Sequence, residues 1–321
     1  MDTKEKKMFP WGHLKRYNDF ASAFRKEFKE RIQKVSADAG FTCPNRDGTK
    51  GTGGCIYCNN VAFNPYYCRN DKSVTVQIEE GIAFFSRKYK SMRFLAYFQS
   101  YSNTYGPLSR LEKLYKEALA HPKIVGLVIG TRPDCLEPDT LDYLEDLSKK
   151  VYLMVELGVE SHLDKTLERV NRCHNFEDSV VALEEIRKRK IRSCAHMILG
   201  LPGESRSDFL DQARIVSRLP VDNLKLHQLQ IHKDTVLESQ FRESPESFHL
   251  FSQKEYIELI VDYLELLNPA IVVERFVSQA PGDLLVAPRW GPKNFEFVAK
   301  VEKSLKERNT WQGRLFDAMI Q

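Results

Sequence analysis

No run of apolar residues in this chain approaches the ~20 needed to cross a bilayer. The opening MDTKEKKMFPWGHLKRYNDF also lacks the apolar core of a secretory signal. A cytoplasmic protein with no membrane attachment is therefore expected. Large charge imbalance is missing too: 48 lysines and arginines against 44 aspartates and glutamates leave a formal net charge of +4. That mildly basic balance admits a nucleic-acid partner without requiring one. There is no low-complexity segment, repeat or linker, and 42% hydrophobic with 29% charged residues is ordinary globular composition. At 321 residues, one large domain is expected.

Cysteine is also scarce, which makes its placement informative. Three of the seven cysteines, Cys43, Cys55 and Cys58, are bunched in FTCPNRDGTKGTGGCIYCNN. In a reducing compartment such a group reads as metal ligands rather than disulfides, with Cys135, Cys173 and Cys194 as scattered core thiols. Cys55 and Cys58 are spaced to clamp one metal from a single turn, and Cys43 returns across a Gly-rich loop. Three thiolates suit a [4Fe–4S] cluster whose fourth iron stays open to a small chelating molecule, whereas closed electron-transfer clusters use four. Gly48, Gly51, Gly53 and Gly54 permit positive φ and backbone N–H groups aimed at sulfides, and Tyr57 is placed to pack on a bound cofactor. The other reading is structural zinc held by Cys43, Cys55, Cys58 and Cys68, although zinc ribbons usually supply two close pairs and this chain has one.

Strand-like and helix-like runs alternate along the chain. Arg31–Ser36, Arg93–Gln99, Ile124–Gly130, Val151–Val159, Arg192–Leu199 and Asn223–Ile231 read as strands. Thr75–Tyr89, Ser109–Leu119, Glu137–Lys149, Asn175–Lys188, Ser205–Leu219 and Ser252–Leu267 read as amphipathic helices. This alternation predicts an α/β fold with a parallel sheet, a partial (β/α)6 TIM-like barrel whose missing wall is filled by other segments or by substrate. The predicted division is a helical, basic N-terminal extension over 1–30, the partial barrel over 31–268, and a C-terminal extension over 269–321 that covers the barrel mouth. That last part begins with a strand-like run, Ala270–Val277. Function on such folds gathers where strands run into the following helices, and the cysteine loop follows the first strand.

The spacing Cys43-x11-Cys55-x2-Cys58, with Tyr57 before the last cysteine, resembles the CxxxCxxC signature of the radical S-adenosylmethionine (SAM) superfamily with its first interval stretched. Together with YFQSYSNTYGPL, TRPDCL, ELGVES, HMILGLPGE and ERFVSQAPGDLLVAPRW, it is similar to the YhcC/YtqA-type radical SAM proteins and, more distantly, to the radical SAM domain of the Elongator catalytic subunit. The resemblance implies a radical SAM barrel in which Cys43, Cys55 and Cys58 hold a [4Fe–4S] cluster. SAM then chelates the fourth iron and is reductively cleaved to methionine and a 5′-deoxyadenosyl radical. It also implies an electron donor such as flavodoxin or ferredoxin.

Within that resemblance, Gln99, Ser100, Asn103 and Thr104 replace a common glycine pair near the methionine amino group, and Arg132 offers a fork to a carboxylate. Glu160, Ser161 and Arg172 resemble a ribose- and carboxylate-binding set. His196 falls where a ribose-binding polar residue is found, and Gly200 and Gly203 let the chain pass close to adenine. The bland readings are a structural Glu160–Arg172 ion pair, a satisfied core histidine at His196, and a plain strand-to-helix turn at LPGE. His227 and His232, lacking metal spacing, read as polar pocket lining.

The substrate is the least determined element. RKRKIR at 187–192 suits a solvated helix end that complements the dipole. Lys4, Lys6, Lys7, Lys15, Arg16, Arg25, Lys26, Lys29 and Arg31, interleaved with Trp11, Tyr17, Phe20, Phe24 and Phe28, suit RNA phosphates and bases, or a core face. The resemblance points to tRNA, specifically to trimming carboxymethylaminomethyluridine to aminomethyluridine at the wobble position, with Arg132, Arg275 or Arg289 holding the carboxylate. The competing readings are a radical SAM oxidoreductase acting on a small metabolite or porphyrin, and a non-catalytic zinc-dependent RNA-binding module.

Overall fold

In the computed structural model, which describes residues 8–87 and 92–317, seven parallel strands form one sheet in the order β1-β2-β3-β4-β5-β6-β8. They are β1 (Ile32–Ala37), β2 (Arg93–Phe98), β3 (Ile124–Thr131), β4 (Tyr152–Glu160), β5 (Arg192–Leu199), β6 (Asn223–Gln228) and, after the two-residue β7 (Ile231–His232), β8 (Val272–Arg275). The six expected strands are present, and the run after Asn268 supplies a seventh. The sixth is shorter than expected. Leu229 still donates to the Leu199 carbonyl at 2.8 Å, and the chain then turns so that β7 pairs antiparallel with β9 (Leu285–Ala287).

The helices follow the expected alternation, beginning with α1 (Phe20–Phe28), α2 (Val74–Ser86) and α3 (Leu108–Leu119). Next come α4 (Pro138–Ser148), the short α5 (Asp164–Arg169), α6 (Phe176–Lys188) and α7 (Arg206–Val216). The chain ends with α8 (Val236–Glu243), α9 (Gln253–Leu266) and α10 (Asn294–Glu307). Asn175, Ser205 and Ser252 start α6, α7 and α9 with reciprocal capping boxes, which satisfy N–H groups that a helix start leaves unpaired. The main hydrophobic core lies between these helices and the outer face of the sheet.

The inner face shows how far the sheet curls. Laid flat, seven strands at ~4.8 Å spacing would hold the first and last roughly 29 Å apart. Yet Lys34 Nζ on β1 lies 2.5 Å from Glu274 Oε1 on β8. The seam between them is filled by the N-terminal segment: Val273 N donates to the Asn18 carbonyl at 2.8 Å, and Asp19 bridges Val273 in parallel. Asp19 also caps α1, accepting from Ser22 N at 3.2 Å, and α1 stops at Lys29, whose φ of 55° is left-handed.

The first 30 residues are thus less helical than expected, since α1 is the one helix among those described; Lys4, Lys6, Lys7 and the expected helix end at Tyr89 lie outside the described residues. Of the N-terminal aromatics, Tyr17, Phe20, Phe24 and Phe28 pack into the hydrophobic clusters, and Trp11 stacks on Phe9 with ring centroids 5.3 Å apart. Phe20, Phe24 and Phe28 pack with Ile32, Leu95, Val128, Tyr152, Met154 and Cys194, most of them near the starts of their strands. They close the barrel floor, and Tyr17 packs on Phe276 with ring centroids 5.0 Å apart.

Candidate active site

The stretched interval between the first two clustered cysteines folds back on itself. Arg46 N donates to the Cys43 carbonyl at 2.8 Å, Gly51 N to Pro44 O at 3.1 Å, and Gly54 N to Asn45 O at 2.8 Å, while Asp47 and Thr52 pair as an antiparallel bridge. The eleven-residue interval is a small hairpin whose ends return side by side, and a turn from Cys58 N to Cys55 O at 2.9 Å adds the third thiol. Cys43, Cys55 and Cys58 line one cleft of about 1200 Å³, counting its solvent-open part. Polar N–H groups face the sulfurs: Arg172 Nη1 lies 3.5 Å and Asn45 Nδ2 3.6 Å from Cys55 Sγ, and Asn60 Nδ2 lies 3.5 Å from Cys58 Sγ. Burial and the neighbouring Cys55 push the Cys58 thiol up to about 11, a crowding that a bound cation would relieve.

Cys68 does not line this cleft. It is buried in the main core, where loss of hydration pushes its thiol up to about 12. The four-thiol zinc site is therefore not assembled.

The rest of the cleft is built from the C-terminal halves and ends of the parallel strands, where residues from several strands converge. Gln99 follows β2, Thr131 and Arg132 end β3, and Glu156, Gly158 and Glu160 come from β4. His196 comes from β5, His227 and Gln228 from β6, and Arg275 ends β8. Glu160 sits at φ 69°, a left-handed backbone rare outside glycine, next to a register shift in the β4–β5 pairing. Its carboxylate lies 3.8 Å from Arg172, and burial nevertheless holds its pKa above the ordinary value. At Gly158 a Cβ would come within 2.6 Å of both Arg172 Nη2 and Glu160 Oε1, so a larger residue there would displace the ends of those two side chains. Arg172 also donates to the Gly158 carbonyl. Arg132 is engaged by a two-point contact with Asp134, 2.9 Å on each side, and Lys50 reaches Asp134 at 2.7 Å. Burial would raise the Asp134 carboxyl, but Arg132 and Lys50 bring it down to about 2.

Of the residues singled out in the sequence, Gln99, Arg132, Glu160, Arg172 and His196 join the three cysteines in the cleft, and His227 and His232 line it as well. Five others lie behind its walls. Ser100 Oγ donates to Asn64 Oδ1 at 2.9 Å, and Asn103 Nδ2 donates to the Gly130 carbonyl at 2.8 Å. Thr104 and Thr131 share a hydroxyl contact of 2.6 Å. Ser161 donates to Glu204, and Gly200 faces Phe251 and Leu229. Phe20, Phe24 and Phe28 pack at the opposite end of the barrel, and none of the described residues of the N-terminal basic and aromatic set lines this cleft.

A charged layer in the middle of the lumen escaped the sequence reading. Lys225 Nζ lies 2.6 Å from Glu156 Oε2 and 3.1 Å from Glu274 Oε1, and Lys34 Nζ lies 2.7 Å from Glu156 Oε1. His196 Nε2 is 2.9 Å from Glu156 Oε2, and Lys225 Nζ reaches Tyr97 Oη at 3.5 Å. Burial alone would raise the Glu156 carboxyl, yet Lys225 and Lys34 hold it well below the usual carboxylate range. The signal was available: IQKVSA, LMVELGVE and NLKLHQ each set a charge inside a strand-forming run.

Comparison with known proteins decides the family. The Radical SAM superfamily model matches residues 46–215, and the Radical_SAM C-terminal domain model matches 221–307. The chain belongs to the radical SAM superfamily. Among its relatives, the Bacillus subtilis protein YtqA is 34% identical over 97% of this chain and 96% of its own. A tRNA uridine(34) acetyltransferase from Methanocaldococcus infernus is 25% identical over 52% of this chain and 31% of its own length. The structure of an N-terminally truncated Elp3 from the same archaeon shares the fold, with a TM-score of 0.66 at 17% identity. That match covers 88% of this chain and 64% of the other, so the chain spans just under two thirds of that protein.

Radical SAM proteins use a [4Fe–4S] cluster and SAM. The residues of this cleft fit both: three thiols stand at one corner with N–H donors on the sulfurs of Cys55 and Cys58, and buried polar atoms at Tyr57 Oη, Arg132 Nη1 and Arg172 Nε have no hydrogen-bond partner among the described residues. The matched region of the superfamily model starts after Cys43, at the point where this chain's first interval is stretched.

Proposed function

We propose that this radical SAM protein modifies tRNA, removing the carboxymethyl portion of carboxymethylaminomethyluridine at the wobble position to leave aminomethyluridine. When bound, the cluster and SAM supply an electron and a carbon radical able to abstract hydrogen. Cys43, Cys55 and Cys58 would hold the cluster, and Glu160, Arg172, Arg132 and Gln99 would hold SAM. Asn45, Asn60 and Arg172 donate toward thiol sulfurs, the kind of contact that tunes a cluster's potential. The Arg132–Asp134–Lys50 group keeps one guanidinium edge fixed and leaves Nη1 open to the cleft.

The observation that carries the reading is the position of the cleft: it is open to solvent at the C-terminal ends of the parallel strands, with three thiols at one corner and polar side chains from several strands facing them. A wobble base, unpaired in an anticodon loop, enters such a cleft without the cost of melting a duplex. The kinship with an enzyme named for tRNA uridine 34 supports the same target. Mass spectrometry of wobble nucleosides from cells lacking the protein is the test. Carboxymethylaminomethyluridine should accumulate at the expense of aminomethyluridine, and an unchanged ratio would remove the proposal. Anaerobically reconstituted protein should release more 5′-deoxyadenosine when tRNA bearing the substrate nucleoside is added.

A further inference from the structure

We infer that Arg275, with His227 beside it, is the anchor for a carboxylate on the substrate, of the kind found at the end of an N–CH2–COO⁻ group. This rests on the wobble-uridine reading for the identity of the substrate, but the geometry that carries it is separate.

A regular strand sends alternate side chains to opposite faces, so Glu274 and Arg275 should point apart. They do not. The pairing of β6 with β8 shifts register: Leu224 faces Val273, and the next residue, Lys225, faces Arg275. The extra residue is Glu274, which turns into the lumen to meet Lys34 and Lys225 at 2.5 and 3.1 Å. Arg275 lines the cleft on the same side. Bulges next to active sites are a recurrent way of re-aiming a side chain.

The charge around Arg275 is already balanced without it. Lys34 and Lys225 offset Glu156 and Glu274, which leaves the guanidinium uncompensated. Among the described residues, Arg275 makes no hydrogen bond or ion pair, and Lys225 on the neighbouring strand is a like charge. His227 Nε2, two residues beyond Lys225 on β6, is buried without a partner. Arg275 is partly exposed to the cleft, so its guanidinium is hydrated there. A like charge at Lys225 and an unpartnered buried imidazole nitrogen at His227 make this a place where an incoming anion is favoured. The other two arginines considered for this role are engaged elsewhere. Arg132 is held by Asp134, and Arg289 is exposed, outside the cleft, donating to the Leu285 and Val286 carbonyls at 2.6 and 3.3 Å. A planar guanidinium matches a carboxylate at two points, and the lumen level of Arg275 suits the end of a side chain rather than an RNA backbone phosphate.

The test uses cluster-reconstituted protein under anaerobic conditions and N-benzylglycine as the probe, which places N–CH2–COO⁻ on a flat ring. Isothermal titration should show wild type binding N-benzylglycine at least about tenfold more tightly than N-benzylglycinamide. Arg275→Gln should abolish that preference, and Arg275→Lys should retain only part of it, because it keeps the charge and loses the fork. Iron content and visible absorbance report whether each variant is folded and loaded. Should Arg275→Gln fail to load, His227→Phe replaces it and should weaken the acid about threefold or more without affecting the amide.

Equal binding of acid and amide by wild type would overturn the inference. So would a tenfold loss of SAM affinity in Arg275→Gln, by equilibrium dialysis, since that would give the arginine to the cofactor. Competition by inorganic phosphate as strong as by N-benzylglycine would make it a phosphate site and overturn the carboxylate assignment. The two readings fail separately. Wild-type preference for the acid with unchanged wobble nucleosides sinks the tRNA reading and leaves the subsite, and the reverse pattern sinks the subsite alone.

Discussion

The middle of the lumen and its mouth are both polar and both enclosed, but only the middle is complete within the chain. Both Glu156 oxygens are met by Lys34, Lys225 and His196, and Glu274 Oε2 is the open acceptor in that layer among the described residues. At the mouth, Tyr57 Oη, Arg132 Nη1, Arg172 Nε, His227 Nε2, Gln230 Oε1 and Ser278 Oγ are buried without partners among the described residues, and none of those residues forms an ion pair with Arg275. Buried polar groups in folded proteins are nearly always satisfied. A cluster of exceptions at the C-terminal ends of parallel strands, around three thiols, belongs to ligands that the chain itself does not supply. The satisfied layer below is part of the architecture, since it ties the first strand of the sheet to the last.

The comparison makes its largest prediction at the mouth. Replacing Cys43, Cys55 or Cys58 by alanine should reduce bound iron from four per chain to near zero after anaerobic reconstitution, with loss of the visible absorbance. The apoprotein's free energy of unfolding in denaturant should change by less than about 1 kcal/mol for Cys43→Ala, because this thiol is partly exposed and belongs to none of the hydrophobic clusters of the described residues. Retention of four irons in any of these variants would show that the thiols are not the ligands.

In the middle layer the balance of effects is reversed. Lys225 is 1% exposed, and Lys225→Met strands Glu156 and Glu274 with one cation between them. Breaking a buried pair from one side costs about 3–5 kcal/mol, and urea unfolding of the apoprotein at pH 8 should show a loss of that size. Burial and then Lys225 hold the His196 imidazole below its usual value, so without Lys225 its pKa in the fold should rise. A group whose folded pKa lies below its unfolded one costs stability as pH falls through the unfolded value, and a less depressed folded pKa costs less. The variant should therefore recover part of its loss at pH 6, while iron loading stays intact. A loss below about 1 kcal/mol at pH 8 would mean that the layer is not structural.

How much of this was readable in the chain follows from how local each feature is. The cysteine corner was legible because Cys55 and Cys58 share one turn and the loop to Cys43 carries its own glycines. The six strands were legible because each is a short run, most of them largely apolar, closed by polar or Gly/Pro segments and followed by a helix-spaced stretch. Arg275 was assigned no more than a place among three arginines, because its orientation depends on a one-residue shift between strands about 50 positions apart in sequence, which alternation cannot reveal. The N-terminal aromatics were ambiguous for the same reason. Their helical spacing fits either a stacking surface or a core face, and the floor of the barrel resolves it only once Leu95, Tyr152 and Cys194 are brought together. Lys34 and Glu274 lie at opposite ends of the sheet order, so no window of sequence contains their contact.

Glu204 sharpens the contrast with the smallest of the three effects. Like Glu156 it is a buried carboxyl beside the barrel strands, but it faces hydroxyls in place of ammonium groups. Burial pushes it up to about 7, against the opposing hydrogen bonds from Ser161 and Thr166, whereas Glu156 is held well below the usual range by Lys225 and Lys34 against the same desolvation. The two residues thus shift in opposite directions because Glu156 is in direct contact with two ammonium groups, whereas Glu204 has only the more distant, exposed Lys165. Because the folded pKa of Glu204 lies above the ordinary 4.5, its protonated form favours the fold. The associated stability is fully present below about pH 4.5 and is lost as pH rises through about 7. A shift of that size corresponds to roughly 3 kcal/mol. Wild type and Glu204→Gln should therefore diverge across pH 4.5 to 7 in urea unfolding, with the glutamine variant the more stable by pH 8. Parallel pH profiles for the two proteins would place the Glu204 carboxylate in contact with a cation or with water, and the contrast with Glu156 would then rest on the lysines alone.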